Sequence, residues 1–305
     1  MLRSTLLAAA GSTRVRGLVE GVPLTKAVVD RFVPGADLDA AFATVRELVA
    51  DRLVTVDHLG EDTADRAQAD RAAQAYEALL HRIGDEGLAD RVEVSIKLSA
   101  LGQSLPVDAE KINLDIARHV CETAAAVGTT VTVDMEDHTT TDATLATVRE
   151  LRADFPWVGA VVQSMLRRTE GDCRDLAGPG SRVRLCKGAY DEPESVAFRK
   201  KADVDASYAR CLGILMRGEG LPMVASHDPK LVDLARELGR DRPGGYELQM
   251  LYGIRPDEQQ RLAADGERVR VYLPYGTEWF GYFMRRLAER PANVAFFLRS
   301  LVTRS

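Results

Sequence analysis

The stretch RVEVSIKLSALGQSLPVDAEKINLDIARHVCETAAAVGTTVTVDMED, residues 91–137, decides the fold. It opens and closes on short runs rich in Val and Ile, RVEVSIKLS (91–99) and TTVTVDMED (129–137). Between them lies DAEKINLDIARHVCETAAAVG (108–128), whose apolar residues recur at three- and four-residue spacing. Short β-branched runs on either side of a helical period read as strand, helix, strand. The same pattern extends both ways along the chain: RLVTVDHLG (52–60) before it, then WVGAVVQS (157–164), SRVRLCKGAY (181–190), LPMVASH (221–227), YELQMLYG (246–253) and RVRVYLPYG (268–276). Eight such units predict a (β/α)8 barrel. The preceding residues, including LDAAFATVRELVAD, read as helix packed outside the barrel, so the expected division is an N-terminal helical segment at 1–50 and a barrel at 51–305.

Composition narrows the function. The 305 residues are 46% hydrophobic and 28% charged, with a formal net charge of -6, which suits a soluble domain with a large core. The acidic balance and scattered arginines disfavour nucleic acid, which needs a basic surface to neutralise phosphates. Cys121, Cys173, Cys186 and Cys211 form no C-x-x-C pair, as expected in a reducing cytoplasm. The opening MLRSTLLAAAGSTRVRGLVEG has an apolar core of only about six residues before Arg14, too short for a signal peptide. No run approaches the roughly 20 apolar residues that span a bilayer, so any membrane contact is expected to be peripheral.

Nearly every strand reads as apolar at its start and polar at its end: Asp57 and His58, Lys97 and Ser99, Asp134 and Glu136, Gln163, Arg184 and Lys187, Ser226 and His227, Gln249, then Tyr272 and Tyr275. Strand ends meet polar loops in any protein, but in barrels the C-terminal rim carries the active site, and eight polar ends converging there point to an enzyme. In TVDMEDH, Asp134 and Glu136 share one face of a strand and invite either a divalent metal or a hydrogen-bond role. With five histidines and no H-x-H or H-E-x-x-H pattern, no metal is expected. Lys97 and Lys187 each end a strand, where a desolvated lysine can form a Schiff base. RLCKGAY places Arg184 and Cys186 on one strand face before a Gly-Ala step that admits a large polar cofactor close to the backbone. No G-x-G-x-x-G or Walker pattern accompanies it.

The segment YFMRRLAERPAN (282–293) sets Arg285 beside Arg286 on an expected final helix, with Glu289 four residues after Arg285. Two guanidiniums overhanging the barrel mouth suit a small carboxylate, and solvated surface arginines are the plain alternative. Tyr272, Tyr275, Trp279 and Tyr282 nearby favour a ligand with an apolar body and a charged end.

Taken together, VTVDHLGE, SIKLSALG, VTVDMEDH, VVQS, RVRLCKGAY, ASHD, YELQMLYG, VRVYLPYG and YFMRRLAERPAN, in this order and spacing, resemble the proline dehydrogenase family. The resemblance spans most of the chain and implies a distorted (β/α)8 TIM-like barrel with extra N-terminal helices that holds FAD over the strand ends. It implies that Arg285, Arg286 and Lys97 bind the proline carboxylate, that Tyr272, Tyr282, Leu251 and Ala189 surround the ring, and that Glu289 pairs with an arginine. Asp134 and Arg184 fall at active-site positions, Arg184 beside flavin N5. Met135, Gln163, Arg184, Lys187, Gly188, Ala189, Ser226, His227 and Gln249 fall at cofactor positions.

The implied reaction is oxidation of L-proline to Δ1-pyrroline-5-carboxylate by hydride transfer from C5 to flavin N5, with electrons passed to a quinone. Such a reaction entails a peripheral visit to the membrane and a separate pyrroline-5-carboxylate dehydrogenase as a transient partner, because no aldehyde dehydrogenase module follows Ser305. Two departures stand out. Asp191-Glu192-Pro193 replaces an aromatic residue of the fused relatives, and Cys186 replaces an aliphatic one, where it is expected to act as a buried small hydrophobe. The competing readings are a lysine-dependent lyase or aldolase barrel and a non-catalytic flavin-binding regulatory module.

Overall fold

A computed structural model describes residues 29–289, with side chains through Arg286. The expected helical segment before residue 29, the side chain of Glu289 and the end of the YFMRRLAERPAN motif lie outside the described residues. Helix α1 (Leu38–Leu48) comes first, started by Asp37, whose carboxylate accepts from the Ala40 amide. Then strands and helices alternate: β1 (Leu53–His58), α2 (Arg66–Asp85), β2 (Val92–Ile96), α3 (Ala109–Val127), β3 (Val131–Val133), α4 (Thr141–Asp154), β4 (Gly159–Gln163) and α5 (Thr169–Leu176). The second half continues with β5 (Arg182–Cys186), α6 (Lys201–Arg217), β6 (Leu221–Ala225), α7 (Pro229–Gly239), β7 (Glu247–Leu251), α8 (Pro256–Ala264), β8 (Val269–Tyr275) and α9 (Trp279–Glu289). The strands form a closed parallel barrel in chain order, β8 pairing with β1 from Leu53↔Arg270 to His58↔Tyr275. Each of the eight expected strands is present.

Alternation within the strands divides the molecule. Val54, Val94, Ile96, Val131, Val133, Val271 and Leu273 face outward and join a core with Tyr76, Leu79 and Leu80 of α2 and Ile116 and Val120 of α3. Val183, Leu185, Val224, Leu248 and Val269 do the same with Tyr208, Cys211 and Leu212 of α6. Tyr76 and Tyr208 are fully buried, and each such side chain contributes on the order of 1.5–3 kcal/mol. The Tyr208 hydroxyl is satisfied by donating to the Leu185 carbonyl at 2.9 Å.

The inward residues overturn the expectation that the strands begin apolar. Glu93, Arg182, Glu247 and Arg270 sit at or near strand starts and are buried or nearly so inside the barrel. Arg270 binds Glu247 through Nε at 2.8 Å and Nη2 at 3.0 Å, and its Nη1 donates to the Val54 carbonyl at 2.9 Å. Glu93 pairs with Arg182, and Thr55 and Thr130 donate to it at 2.7 and 2.9 Å. Burial alone would raise the pKa of Glu93, but Arg182, Arg270 and Arg184 outweigh it and hold the carboxyl well below its usual range. Where many barrels stack aliphatic layers, this one stacks paired charges.

Candidate active site

At the C-terminal rim the barrel opens into a cavity of about 870 Å³. Its floor is one buried hydrogen-bond network. Arg184 on β5 donates from Nη1 to Asp134 Oδ1 at 2.6 Å and to Ser95 Oγ at 3.1 Å, and from Nε to Gln249 Oε1 at 2.7 Å. The Tyr272 hydroxyl donates to the other oxygen of Asp134 at 2.6 Å, and its ring lies 5.2 Å from Arg184 Cζ. Both Asp134 oxygens are thus engaged, which orients the arginine and the tyrosine together. Gln249 in turn donates to Glu247 at 3.0 Å, joining the rim to the charged barrel interior.

Lys97, just past β2, points into the same cavity and lies 2.5 Å from Asp57 Oδ2 at the end of β1. Burial pulls the lysine pKa down, but Asp57, Asp134 and Glu61 outweigh it and push the value up to about 12. The side chain is therefore a fixed cation. Arg285 and Arg286 of α9 line the same cavity. Arg286 is 9% exposed, its Cζ 5.0 Å from the Tyr282 ring. Arg285 grips Glu61 with both Nη atoms, one at 3.0 Å, and lies 6.0 Å from the Tyr190 ring. Burial favours neutral Arg285, yet Glu61 and Tyr190 outweigh it and raise its pKa. Three cations from β2 and α9 thus face one space walled by Tyr272, Tyr282 and Leu251.

The remaining wall suits a large planar cofactor. Gly188 has φ +104, and a Cβ there would meet Met165 Sδ at 2.0 Å and Gln163 Oε1 at 3.0 Å, so only glycine lets the backbone lie this close. Met135, Ala189, Ser226 and His227 line the same cavity, as does Arg184, whose buried Nη2 makes no hydrogen bond but lies 3.5 Å from the Glu93 carboxylate. Lys187 lies at 2.5 Å from Asp205 and 3.0 Å from Asp228, the N-cap of α7. A glycine cradle, with a buried arginine and a lysine on the cavity lining, fits a flavin with its phosphates.

Several expectations change. The strand carrying Asp134 ends at Val133, so Asp134 and Glu136 do not share a strand face. Glu136 instead accepts from the Ser99 amide at 3.0 Å and its hydroxyl at 2.5 Å, and His138 pairs with buried Glu192. Tyr275 packs edge-on to His58 within the core, and Trp279 packs on Phe280 and Phe283, so of the four aromatics only Tyr272 and Tyr282 line the cavity. Cys186 is half-buried on the cavity wall rather than buried in the core. The Asp191-Glu192-Pro193 departure forms a tied loop: Asp191 pairs with Arg199, whose Nη1 also reaches the Glu192 carbonyl at 2.5 Å.

Sequence reading missed Glu61 and Tyr190 as neighbours of Arg285. Both stand inside quoted motifs, VTVDHLGE and RVRLCKGAY, which was the available signal. It also missed Asp205 and Asp228 as partners of Lys187. Every residue that the family resemblance placed in the site, Glu289 aside, lines the cavity, whereas His58 and Ser99, also named as polar strand ends, do not. Among the described residues no helix is long and apolar enough to cross a membrane.

Comparison with known proteins agrees with this architecture. The proline dehydrogenase family model matches residues 41–299. The chain is 39% identical over 284 residues to a proline dehydrogenase of Deinococcus radiodurans, covering 90% of each. It is 36% identical over 276 residues to proline dehydrogenase 1 of Bacillus subtilis, covering 89% of this chain and 90% of the relative. Among solved structures it resembles proline utilization A from Bdellovibrio bacteriovorus inactivated by N-propargylglycine, with TM-score 0.80 and 25% identity. That likeness covers 87% of this chain and 33% of the other, so the chain spans about a third of that protein. A mutant of proline utilization A from Bradyrhizobium japonicum shares the fold at TM-score 0.74 and 23% identity, over 90% of this chain and 32% of the other. With a family match across the barrel and relatives covered nearly end to end, the chain belongs to the proline dehydrogenase family.

Proposed function

We propose that the protein is an FAD-dependent oxidoreductase that converts L-proline to Δ1-pyrroline-5-carboxylate in proline catabolism. The observation that carries the reading is the convergence of Lys97, Arg285 and Arg286 on one cavity shared with Arg184, Tyr272 and Tyr282. Three cations suit the carboxylate and the aromatic walls suit the ring. Held by its carboxylate, the ring presents C5 in one orientation, which removes much of the entropic part of the barrier. Bound FAD would supply the hydride acceptor. Arg184, fixed by Asp134 and Gln249, places a permanent positive charge where negative charge develops on reduction.

In this reading Gln163, Lys187, Gly188, Ser226 and His227 hold the cofactor, with Met135 and Ala189 against it. Electrons leave to a quinone at a membrane surface visited peripherally from the cytoplasm, and a separate dehydrogenase consumes the product. Lys97 does not suit a Schiff-base lyase, which needs a neutral amine, because its pKa is pushed up to about 12. The experiment is product analysis: protein, FAD, L-proline and a soluble quinone should yield the cyclic imine, two hydrogens lighter than proline by mass spectrometry. Proline recovered unchanged would refute the reading.

A further inference from the structure

Helix α9 carries both arginines of the site, yet it follows the last strand and is bonded into no sheet. Its apolar residues Phe280, Phe283 and Met284 are buried in a cluster separate from the two barrel cores. The partners there include Val29, Phe32 and Val33, a strap that precedes α1. Phe32 is 2% exposed, with its ring centroid 6.2 Å from that of Phe283. The strap is pinned at two rim loops. Arg31 Nε donates to the Gly253 carbonyl at 3.3 Å after β7, and the Gly276 amide donates to the Gly35 carbonyl at 3.2 Å after β8. Gly253 has φ +73, and a Cβ there would lie 1.7 Å from the Arg31 carbonyl oxygen, so the strap rests directly on loop backbone.

The Arg285–Glu61 ion pair is a second tie on α9, but it engages the guanidinium that faces the cavity. A carboxylate entering the site competes for that tie and leaves the apolar one intact. We propose that Phe32 is a positioning residue: it seats α9 so that Arg285 and Arg286 face the cavity, and thereby sets affinity for the carboxylate end of the ligand. The ligand's identity rests on the proline reading above, whereas the seating of α9 rests on the packing alone.

The test uses the full-length flavin-loaded protein and two readouts. One is the Kd of cyclopentanecarboxylate, which keeps the ring and carboxylate of proline but has no amine to oxidise. The other is hydrogen–deuterium exchange of residues 279–286. Phe32→Ala should raise the probe Kd and the proline KM at least about tenfold, with kcat changed less than about twofold. It should speed exchange in α9 at least about tenfold while the barrel strands stay protected. Phe32→Leu, which keeps most of the apolar bulk, should recover most of the affinity. Unchanged probe affinity, or unchanged α9 exchange, in folded Phe32→Ala overturns the proposal. Should that variant fail to fold, Arg31→Ala at an exposed position must move both readouts the same way, and unchanged values overturn the proposal. A wild-type protein that neither binds the probe nor oxidises proline refutes the proline reading, and α9 exchange in Phe32→Ala then decides the seating by itself.

Discussion

Arg286 stands against the Tyr282 ring at the cavity wall, 9% exposed, where a desolvated guanidinium binds an anion far more strongly than it would in water. Charge-assisted hydrogen bonds contribute about 1.5–3 kcal/mol each, so loss of a two-bond fork should weaken proline binding about 100-fold or more. Arg286→Ala is therefore expected to raise the proline KM by that order with flavin content unchanged, as read by steady-state kinetics and absorbance. Lys97 supports a second prediction. Its raised pKa, about 12, keeps it charged throughout the usual assay range. Only the neutral amine of proline can release hydride, so kcat/KM should climb with pH as that amine loses its proton. Lys97→Met should lower the whole profile and keep its inflection; an inflection that disappears would mean that Lys97 is the titrating group. Individual site residues were legible as polar residues late in or just past apolar runs, as Lys97, Arg184 and Tyr272 are. Glu61 was not, because its partner Arg285 lies 224 positions away and only the closed barrel brings them together.

Among the elements, strands β2, β5, β7 and β8 carry the charges that fill the barrel, and these set its response to acid. Arg270 and Arg182 hold Glu247 and Glu93 down against the opposing effect of burial, so both carboxyls have folded pKa values below their unfolded ones. Groups shifted this way stabilise the fold above the unfolded value, and the contribution is lost as pH falls through that value toward the folded one. The melting temperature should thus hold steady above about pH 5 and fall steeply below about pH 4.5, the unperturbed carboxylate range. A melting temperature flat down to about pH 3 would contradict the buried pairing. The period of the strands and helices was legible because eight Val- and Ile-rich runs alternate with amphipathic segments. What the inward faces hold was not, since Glu93 and Arg182 each look like a polar interruption until strand register puts them in one lumen.

For the whole molecule, we propose one catalytic unit at 51–305 with the preceding segment packed on it, and the strap at Val29–Val33 together with α1 is the described part of that packing. Barrel, charged lumen and α9 together bring a cation cluster, an aromatic wall and a glycine cradle to one cavity, and we propose that a flavin and proline meet there. The most direct measurement is an anaerobic absorbance spectrum of the FAD-loaded protein before and after L-proline is added. The account predicts that the oxidised flavin band near about 450 nm bleaches on addition of proline. A flavin band that persists in excess L-proline would contradict it.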